Sequence, residues 1–202
     1  MTFSLFPQRA PVRGRHPDDF YATPEWCVRD MLRSEAAPEE CSTIIEPSCG
    51  DGAMLSRLKG WRDAYFPTAS ILGVELDAER SELSRQDGVH VIEYDFLELQ
   101  PAGLKDRGDV WVVGNPPFSL AQEFVEHSMR HIGDGSRVTF LLRLAFLAGK
   151  RRVNLYQDFG FFHLGVLGRR PSFAPGGGTD LYDYGWFTWE KGYEGSAVVE
   201  RL

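Results

Sequence analysis

Short apolar runs rich in β-branched and aromatic residues recur along this chain from residue 43 onward, and helical patterns separate several of them. The runs are Thr43–Ile45, Ile71–Val74, Val89–Tyr94, Val110–Val113, Val138–Leu142, Phe161–Leu167 and Tyr182–Trp189. Strands that alternate with helices are typical of a mainly parallel sheet covered on both faces. The last run follows a loop too short for a crossover helix, so we expect it to be antiparallel to its predecessor. The sequence predicts an α/β fold with a seven-stranded sheet.

Two helices can be placed from the spacing of apolar residues. One is a short helix before Gly60, with its apolar residues at Met54, Leu55 and Leu58. The other has a longer apolar face at Leu120, Phe124, Val125 and Met129. Residues three and four apart lie on one side of a helix, so each set can cover one face of the sheet.

The length of 202 residues suits one well-buried domain, which we place at residues 18–202 after a short basic arm, residues 1–17. No apolar stretch is long enough to cross a bilayer, so we expect no membrane partner. Cys27, Cys41 and Cys49 are odd in number and lack CxxC spacing. They argue against a disulfide scaffold or a zinc site and for a reduced, cytoplasmic setting, and we predict no metal.

The net charge of −7 is unevenly distributed. Residues 18–136 are strongly acidic, whereas residues 137–170 carry seven basic residues against the single acid Asp158. A basic block on an acidic protein is compatible with a local phosphate-binding face. The overall acidity therefore does not exclude a nucleic-acid partner.

A glycine-containing loop follows the first predicted strand, and an acid ends the second. The loop is Glu46–Gly52, in which glycines allow a tight turn and close approach of a ligand to the backbone. Glu75 lies 23 residues after Gly52, where an acid can hold the two hydroxyls of a ribose. The loop lacks the full GxGxxG pattern, and its leading acid, Glu46, suits a cationic ligand better than a pyrophosphate.

The sharpest motif is Gly114-Asn115-Pro116-Pro117-Phe118, at the end of the fourth predicted strand. Two consecutive prolines are incompatible with both helix and ladder pairing, so the chain must leave the sheet rigidly at this point. Asn115 is thereby placed at the carboxyl edge of the sheet, where ligands bind in open α/β folds.

These motifs resemble a known family. EPSCGDG (46–52), GVELD (73–77), YDF (94–96) and GNPPF (114–118) resemble the ordered motifs of class I S-adenosylmethionine-dependent methyltransferases that act on the exocyclic amine of adenine. The upstream segment FYATPE (20–25) resembles the motif that precedes the methionine-binding loop in DNA N6-adenine methyltransferases, and its position matches their gamma arrangement. The resemblance covers roughly residues 18–175, and compact single-domain enzymes of this kind are common among phage and restriction-type methyltransferases.

The resemblance implies a Rossmann-like fold, S-adenosylmethionine as cofactor and DNA as partner. The cofactor-binding residues that it implies are Tyr21, Thr23, Glu46, Ser48, Gly50, Gly52, Glu75, Leu76, Asp95, Phe96 and Asn115. Within this set, Glu46 and the two glycines would surround the methionine and sulfonium, and Thr23 its carboxylate. Glu75 would hold the ribose. Asp95 and Phe96 would contact the cofactor's adenine.

The implied catalytic residues are Asn115, Pro116, Pro117 and Phe118. The side-chain oxygen of Asn115 and the carbonyl of Pro116 can accept hydrogen bonds from adenine N6 and so localise its lone pair. A base inside a duplex must be unstacked to reach such a site, and Phe118 would stack on it. Phe173 in the segment Arg169–Phe173 resembles the family's second aromatic residue at this position.

Other residues have a structural interpretation beside the functional one. Thr23-Pro24 also fits a helix N-cap followed by proline. The predicted nucleic-acid contacts at Lys150, Arg151, Arg152, Arg169 and Arg170 equally fit a solvated surface. His127 and His131, four residues apart, could ligate a metal, but no third ligand is near them in the sequence and a solvated helix face is the better interpretation.

Three alternatives to a DNA adenine methyltransferase remain open. An RNA adenine N6-methyltransferase would use the same NPPF site, and a protein glutamine methyltransferase also presents NPP followed by an aromatic residue. Phe118 in place of tyrosine and the short arm argue against the glutamine enzyme. A non-catalytic cofactor- or nucleic-acid-binding module predicts a degraded motif, whereas this motif is intact. We expect no separate target-recognition domain, so sequence recognition would come from residues 145–154 and 173–179 or from a partner subunit. We therefore expect low sequence selectivity or a very short target site.

Overall fold

The structure is a computed structural model that describes residues 22–173 and 180–202. Within these residues the strands are β1 (Thr43–Glu46), β2 (Ser70–Glu75), β3 (His90–Glu93), β4 (Val110–Gly114), β5 (Arg137–Arg143), β6 (Phe161–Val166), β7 (Tyr184–Glu190) and β8 (Val198–Arg201). The α-helices are α1 (Glu25–Met31), α2 (Ala53–Tyr65), α3 (Ala78–Leu83), α4 (Ala121–His131) and α5 (Val153–Gln157). Short 3-10 turns lie at Phe96–Glu98, Phe118–Leu120, Leu144–Leu147 and Lys150–Arg152. The predicted arm, residues 1–17, lies outside the described residues.

The strands form one sheet in the order β3-β2-β1-β4-β5-β7-β6-β8. β1 to β5 pair in parallel with their neighbours, and β7 lies antiparallel between β5 and β6. The predicted mainly parallel sheet with an antiparallel β7 is confirmed.

The predicted number of seven strands is wrong by one. The additional strand, β8, pairs in parallel with β6, with Val198 opposite His163. It is four residues long and its side chains are largely exposed, so it has no buried face that the sequence could reveal. Pairing with β6, rather than an apolar face, defines this strand.

The helices follow the predicted periodicity, with one correction. In α4 the predicted residues Phe124, Val125 and Met129 are buried. The helix expected to end before Gly60 instead continues to Tyr65 as α2. A glycine inside a helix costs only about 1 kcal/mol relative to alanine, so Gly60 does not end α2.

Adjacent residues of the central strands point to opposite faces of the sheet, and each face is covered by helices. Ile44 packs in the core cluster that contains α1 and α2, whereas Ile45 packs in the cluster that contains α4 and α5. In β4, Trp111 and Val112 divide between the two clusters in the same way. The period of two in a strand thus produces a three-layer architecture.

Two buried tryptophans of β7 join the helical layers to the sheet. The indole N–H of Trp186 donates to the carbonyl of Cys27 in α1 at 3.0 Å, and that of Trp189 donates to Leu155 in α5 at 2.9 Å. A buried indole N–H without a partner would cost free energy, so these bonds fix where the two helices dock. The position of α1 matters because Thr23 immediately precedes it.

The three cysteines have free, buried thiols, and burial raises the pKa of Cys27 to about 12. Among the described residues, no helix has the length and apolar character that a membrane crossing requires.

Candidate active site

The strand order reverses between β1 and β4, and a crevice opens at the carboxyl ends of neighbouring strands at such a point. The loop Pro47–Gly52 leaves the sheet after β1, and the segment Asn115–Phe118 leaves it after β4. The Ser48 hydroxyl donates a hydrogen bond to the main-chain carbonyl of Asn115 at 3.4 Å. The structure therefore brings the predicted cofactor loop and the predicted catalytic segment together at one edge.

Glycine is required in the loop by conformation and by space. Gly50 and Gly52 have φ angles of 55° and 82°, in the left-handed region that side chains disfavour. A Cβ at Gly52 would also lie 2.9 Å from the main-chain Cα of Ser84. The amide of Cys49 donates to the carbonyl of Val74 at 3.0 Å and so attaches the loop to β2.

Glu46, at the end of β1, is a buried acid at this edge of the sheet. It is 2% exposed, and its Oε2 atom has no hydrogen-bond partner among the described residues. Burial, together with the carboxylates of Asp51 and Glu75, raises the pKa of Glu46 well above its usual range. A buried carboxyl with this charge environment is suited to a cationic ligand, because a cation stabilises its charged form.

Glu75 ends β2 and is also 2% exposed. Its carboxylate accepts hydrogen bonds from the amides of Gly50 at 2.9 Å and Asp77 at 3.0 Å, and it pairs with Arg80 at 3.2 Å. Glu75 therefore stabilises the loop after β1 through its bond to Gly50. Its binding of a ribose stays a prediction. Leu76, which follows it, is half-buried.

The two residues predicted at the cofactor's adenine differ in their surroundings. Asp95 is half-buried, and its side chain accepts a hydrogen bond from the amide of Leu97 at 3.0 Å, so it caps the turn that follows. The ring of Phe96 is 5% exposed and lies 5.3 Å from the ring of Phe124. Phe96 is thus mainly a core residue, and its contact with a cofactor stays a prediction.

A cleft of about 310 Å³ lies between the N-terminal ends of α1 and α2. Its lining residues are Thr23, Glu25, Val28, Ala53, Ser56 and Arg57. Pro24 rather than Thr23 precedes the first turn of α1, and no side chain among the described residues caps this helix. The interpretation of Thr23 as an N-cap is therefore wrong, and Thr23 instead lines the cleft together with Ala53 of α2. The other residue predicted on this side, Tyr21, lies outside the described residues.

An aromatic group surrounds the exit from β4. Pro116 and Pro117 are buried, and the ring of Phe118 lies 6.3 Å from Phe173 and 5.5 Å from Tyr184. Phe173 and Tyr184 are 5.3 Å apart. The structure thus joins the predicted residues Phe118 and Phe173, which are far apart in the sequence, through Tyr184.

Four residues in or next to this aromatic group were not predicted from the sequence: Arg143, Asp180, Tyr182 and Tyr184. Arg143 lies with its Cζ 4.9 Å from the centre of the Phe118 ring and 4.0 Å from that of Tyr182. Its Nε donates to the Tyr184 hydroxyl at 3.3 Å, and this hydroxyl donates to Asp180 at 2.8 Å. The available signal was the antiparallel direction of β7, because such a strand begins at the edge where the parallel strands end.

The predicted nucleic-acid contacts fall into two groups. Lys150 and Arg151 are exposed, and neither side chain bonds to another described residue. The Arg152 guanidinium instead donates to the carbonyls of Ala145 and Ala148 and lies over the ring of Phe146. The guanidinium of Arg169 lies 4.2 Å from the Trp26 ring, and Arg170 pairs with Asp183 at 2.8 Å.

The predicted solvated helix face at His127 and His131 is wrong. His127 is 6% exposed, and its Nε2 donates to the carbonyl of Leu99 at 2.9 Å. Burial is the main reason that the pKa of His127 falls to about 4. In the described parts of the chain, no three His, Cys, Asp or Glu residues are grouped as metal ligands would be.

The chain is similar in sequence to viral and bacterial methyltransferases. It is 24% identical over 165 residues to the type II methyltransferase M.CvrRI of Paramecium bursaria Chlorella virus XZ-6E. The matched region covers 72% of this chain and 41% of that protein. It is 39% identical over 121 residues to the modification methylase CviBIII of Paramecium bursaria Chlorella virus NC1A, over 58% and 25% of the two chains.

A third relative acts in a different context. The ribosomal RNA small subunit methyltransferase A of Acidobacterium capsulatum is 30% identical over 95 residues, which span 44% of this chain and 31% of that protein. The chain thus spans less than half the length of these curated relatives. No protein-family model matches the chain.

Solved structures share the fold. The methyltransferase subunit of the type I restriction-modification system from Streptococcus thermophilus superposes with a TM-score of 0.65 at 14% identity, covering 86% of this chain and 45% of that one. A Listeria monocytogenes protein assigned to the class I S-adenosylmethionine-dependent methyltransferases gives a TM-score of 0.62 at 14% identity, over 88% and 62% of the chains. The chain therefore has the α/β fold of the class I methyltransferases, as predicted.

Proposed function

We propose that this chain transfers a methyl group from S-adenosylmethionine to the N6 amine of adenine in DNA. The observation that carries the proposal is the junction of the buried acid Glu46 and its glycine loop with the Asn115–Phe118 segment, through the bond from Ser48 to Asn115. In this proposal the loop that follows Glu46 binds a cationic ligand, and the adjoining Asn115–Phe118 segment binds an aromatic amine. The type II methyltransferase and modification methylase among the relatives support DNA as the substrate.

The residues of the crevice fit the cofactor. S-adenosylmethionine, when bound, supplies an activated methyl group on a sulfonium and also carries an ammonium, a carboxylate and a ribose. Glu46 holds a cationic group, since its Oε2 has no partner within the described residues. Gly50 and Gly52 allow the backbone to approach it closely, and Glu75 holds the ribose hydroxyls. Thr23, in the cleft beside Ala53, binds the carboxylate.

Asn115 and Pro116 activate the target amine. The lone pair of adenine N6 is delocalised into the ring, which makes the amine a poor nucleophile. Hydrogen bonds from N6 to the Asn115 side-chain oxygen and the Pro116 carbonyl draw the nitrogen toward tetrahedral geometry and localise the pair. Positioning and electrostatics of this kind supply most of the rate, so no general base is needed before transfer.

The aromatic group around the β4 exit holds the unstacked base. Phe118 offers a ring face next to Asn115, and Phe173 contributes a second ring within 6.3 Å of it. Stacking of a base on an aromatic ring is worth about 1–3 kcal/mol, which offsets part of the cost of removing the base from a duplex.

A second candidate function is transfer to adenine in RNA. The similarity to a ribosomal RNA methyltransferase over 95 residues favours it, and the same Asn115 site would serve both substrates. Transfer to protein glutamine is disfavoured by Phe118, because those enzymes usually have tyrosine there. A module that only binds is disfavoured by the intact Asn115-Pro116-Pro117-Phe118 sequence.

Transfer of tritiated methyl groups tests the proposal directly. The protein is incubated with tritiated S-adenosylmethionine and, separately, duplex DNA, single-stranded DNA, RNA and protein, and the labelled product is digested and its components identified. We expect N6-methyldeoxyadenosine from DNA. Label in N6-methyladenosine would move the proposal to RNA, and label in protein or in another nucleoside would overturn it.

A further inference from the structure

Arg143 is held in a fixed orientation at the target-base site. It ends β5 and lies opposite Tyr184 in the antiparallel register with β7. Its guanidinium lies against the rings of Phe118 and Tyr182, and its Nε donates to the Tyr184 hydroxyl. Burial raises the pKa of Tyr184 to about 12, so the hydroxyl keeps its proton and donates it to Asp180. Five side chains thus form one connected group beside Asn115.

The terminal nitrogens of Arg143 are not used by this group. Of the three guanidinium nitrogens, Nε is the one that bonds to a described residue. The N–H groups of Nη1 and Nη2 therefore donate to no other described residue. The side chain is half-buried and Tyr182 beside it is 48% exposed, so the group opens to solvent. Of the acids nearby, Asp180 is already bonded to Tyr184, and Asp183 pairs with Arg170.

We propose that Arg143 binds the phosphodiester of the nucleotide whose base stacks on Phe118. The inference rests on the proposed function and names a contact for it. A guanidinium presents its amino groups as a planar fork that matches phosphate oxygens, and it is permanently charged. Two aromatic rings and the bond to Tyr184 fix the plane of this fork before substrate arrives. A target base that enters beside Asn115 brings its own phosphate with it, and Arg143 is a cation in contact with the Phe118 ring on which the base would stack.

The salt dependence of nucleic-acid binding distinguishes this contact from a purely structural role. Each neutralised phosphate contributes about 0.9 to the slope of log affinity against log salt for duplex DNA and about 0.7 for a single strand. We would measure binding of fluorescein-labelled duplex and single-stranded DNA of mixed sequence by anisotropy, at several salt concentrations. S-adenosylhomocysteine is present throughout, so that no turnover occurs.

The variants are Arg143→Gln, Arg143→Lys and the control Arg85→Gln. Arg85 is an exposed residue paired with Glu82, so its replacement removes the same charge away from the site. We expect Arg143→Gln to reduce the slope by about one phosphate and to weaken binding by roughly 10- to 100-fold. Arg143→Lys should keep the slope, because the charge remains, and Arg85→Gln should keep both slope and affinity.

Three results would overturn the inference. A wild-type slope in Arg143→Gln, with turnover reduced or not, would make Arg143 only a positioning residue for Phe118. An equal loss of slope in Arg85→Gln would mean that net charge, not contact, governs binding. A wild-type protein that binds cofactor but methylates and binds no nucleic acid would overturn the proposed function itself, and the methyl-transfer assay identifies that case separately.

Discussion

The hydroxyl of Ser48 donates a hydrogen bond to the main-chain carbonyl of Asn115 across 67 positions of sequence. This bond joins the loop after β1 to the exit from β4, so the two halves of the proposed site keep a fixed relation. The bond is made to the main-chain carbonyl of Asn115 and not to its side chain. Removal of the Asn115 side chain should therefore affect catalysis and leave the junction between the two segments intact.

We predict that Asn115→Ala loses methyl transfer while it keeps cofactor affinity. Removal of one positioned acceptor of a transition-state hydrogen bond commonly costs about 10²–10³ in rate. The Ser48 bond survives, because it is made to the carbonyl. Single-turnover transfer with tritiated cofactor measures the rate, and calorimetry measures cofactor binding. Turnover close to that of the wild type would exclude the proposed mechanism.

Glu75→Ala should weaken cofactor binding by roughly 10- to 100-fold, since hydrogen bonds to a charged group contribute about 1.5–3 kcal/mol. Because Glu75 also accepts the Gly50 amide at 2.9 Å, the matched variant Glu75→Gln is needed. Its amide oxygen can still accept the Gly50 bond, but the charge is lost. Calorimetry on both variants, with thermal melts for folding, separates ligand contact from loop support. Unchanged affinity in Glu75→Ala would leave Glu75 with a structural role alone.

The sequence predicts the site best where a residue's type is dictated by the backbone. Gly52 has a left-handed φ and no room for a Cβ beside Ser84, so only glycine fits there. Pro116 and Pro117 force the chain to leave the sheet after β4. Such requirements are local, so they are visible in one sequence. The sheet order then brings these separate motifs to the same edge, as the alternation of strands and helices predicts.

The residues that were missed depend on pairing rather than on local pattern. Arg143 reaches Tyr184 only because β7 runs antiparallel beside β5. In the sequence it is one of seven basic residues between positions 137 and 170, and nothing local distinguishes it from the other six. β8 is likewise defined by pairing with β6 and has no apolar face of its own. The same limit applies to Arg152, whose guanidinium binds local carbonyls although its neighbours are exposed.

For this reason we predict that Lys150 and Arg151, but not Arg152, contact phosphates. The double variant Lys150→Ala/Arg151→Ala should weaken nucleic-acid binding about equally across sequences and make its salt slope shallower by about 1–2 units. Cofactor affinity should stay unchanged. Arg152→Ala should instead lower the free energy of unfolding and leave the slope alone, because its guanidinium is bonded to the carbonyls of Ala145 and Ala148. A wild-type slope in the double variant would assign these residues to solvated surface.

His127 should make the protein less stable in mild acid. Burial, then the charge of His131, lowers the pKa of His127 to about 4, whereas the unfolded chain has a value near 6.5. Between these values the unfolded state binds the extra proton, so stability is complete above about pH 6.5 and falls as the pH drops toward 4. The shift corresponds to about 3 kcal/mol. His127→Gln can still donate to the Leu99 carbonyl but cannot titrate. Urea unfolding at pH 7.5 and 4.5 should therefore show a loss about 2–3 kcal/mol smaller in the variant than in the wild type, and equal losses would show that His127 is protonated in the folded state.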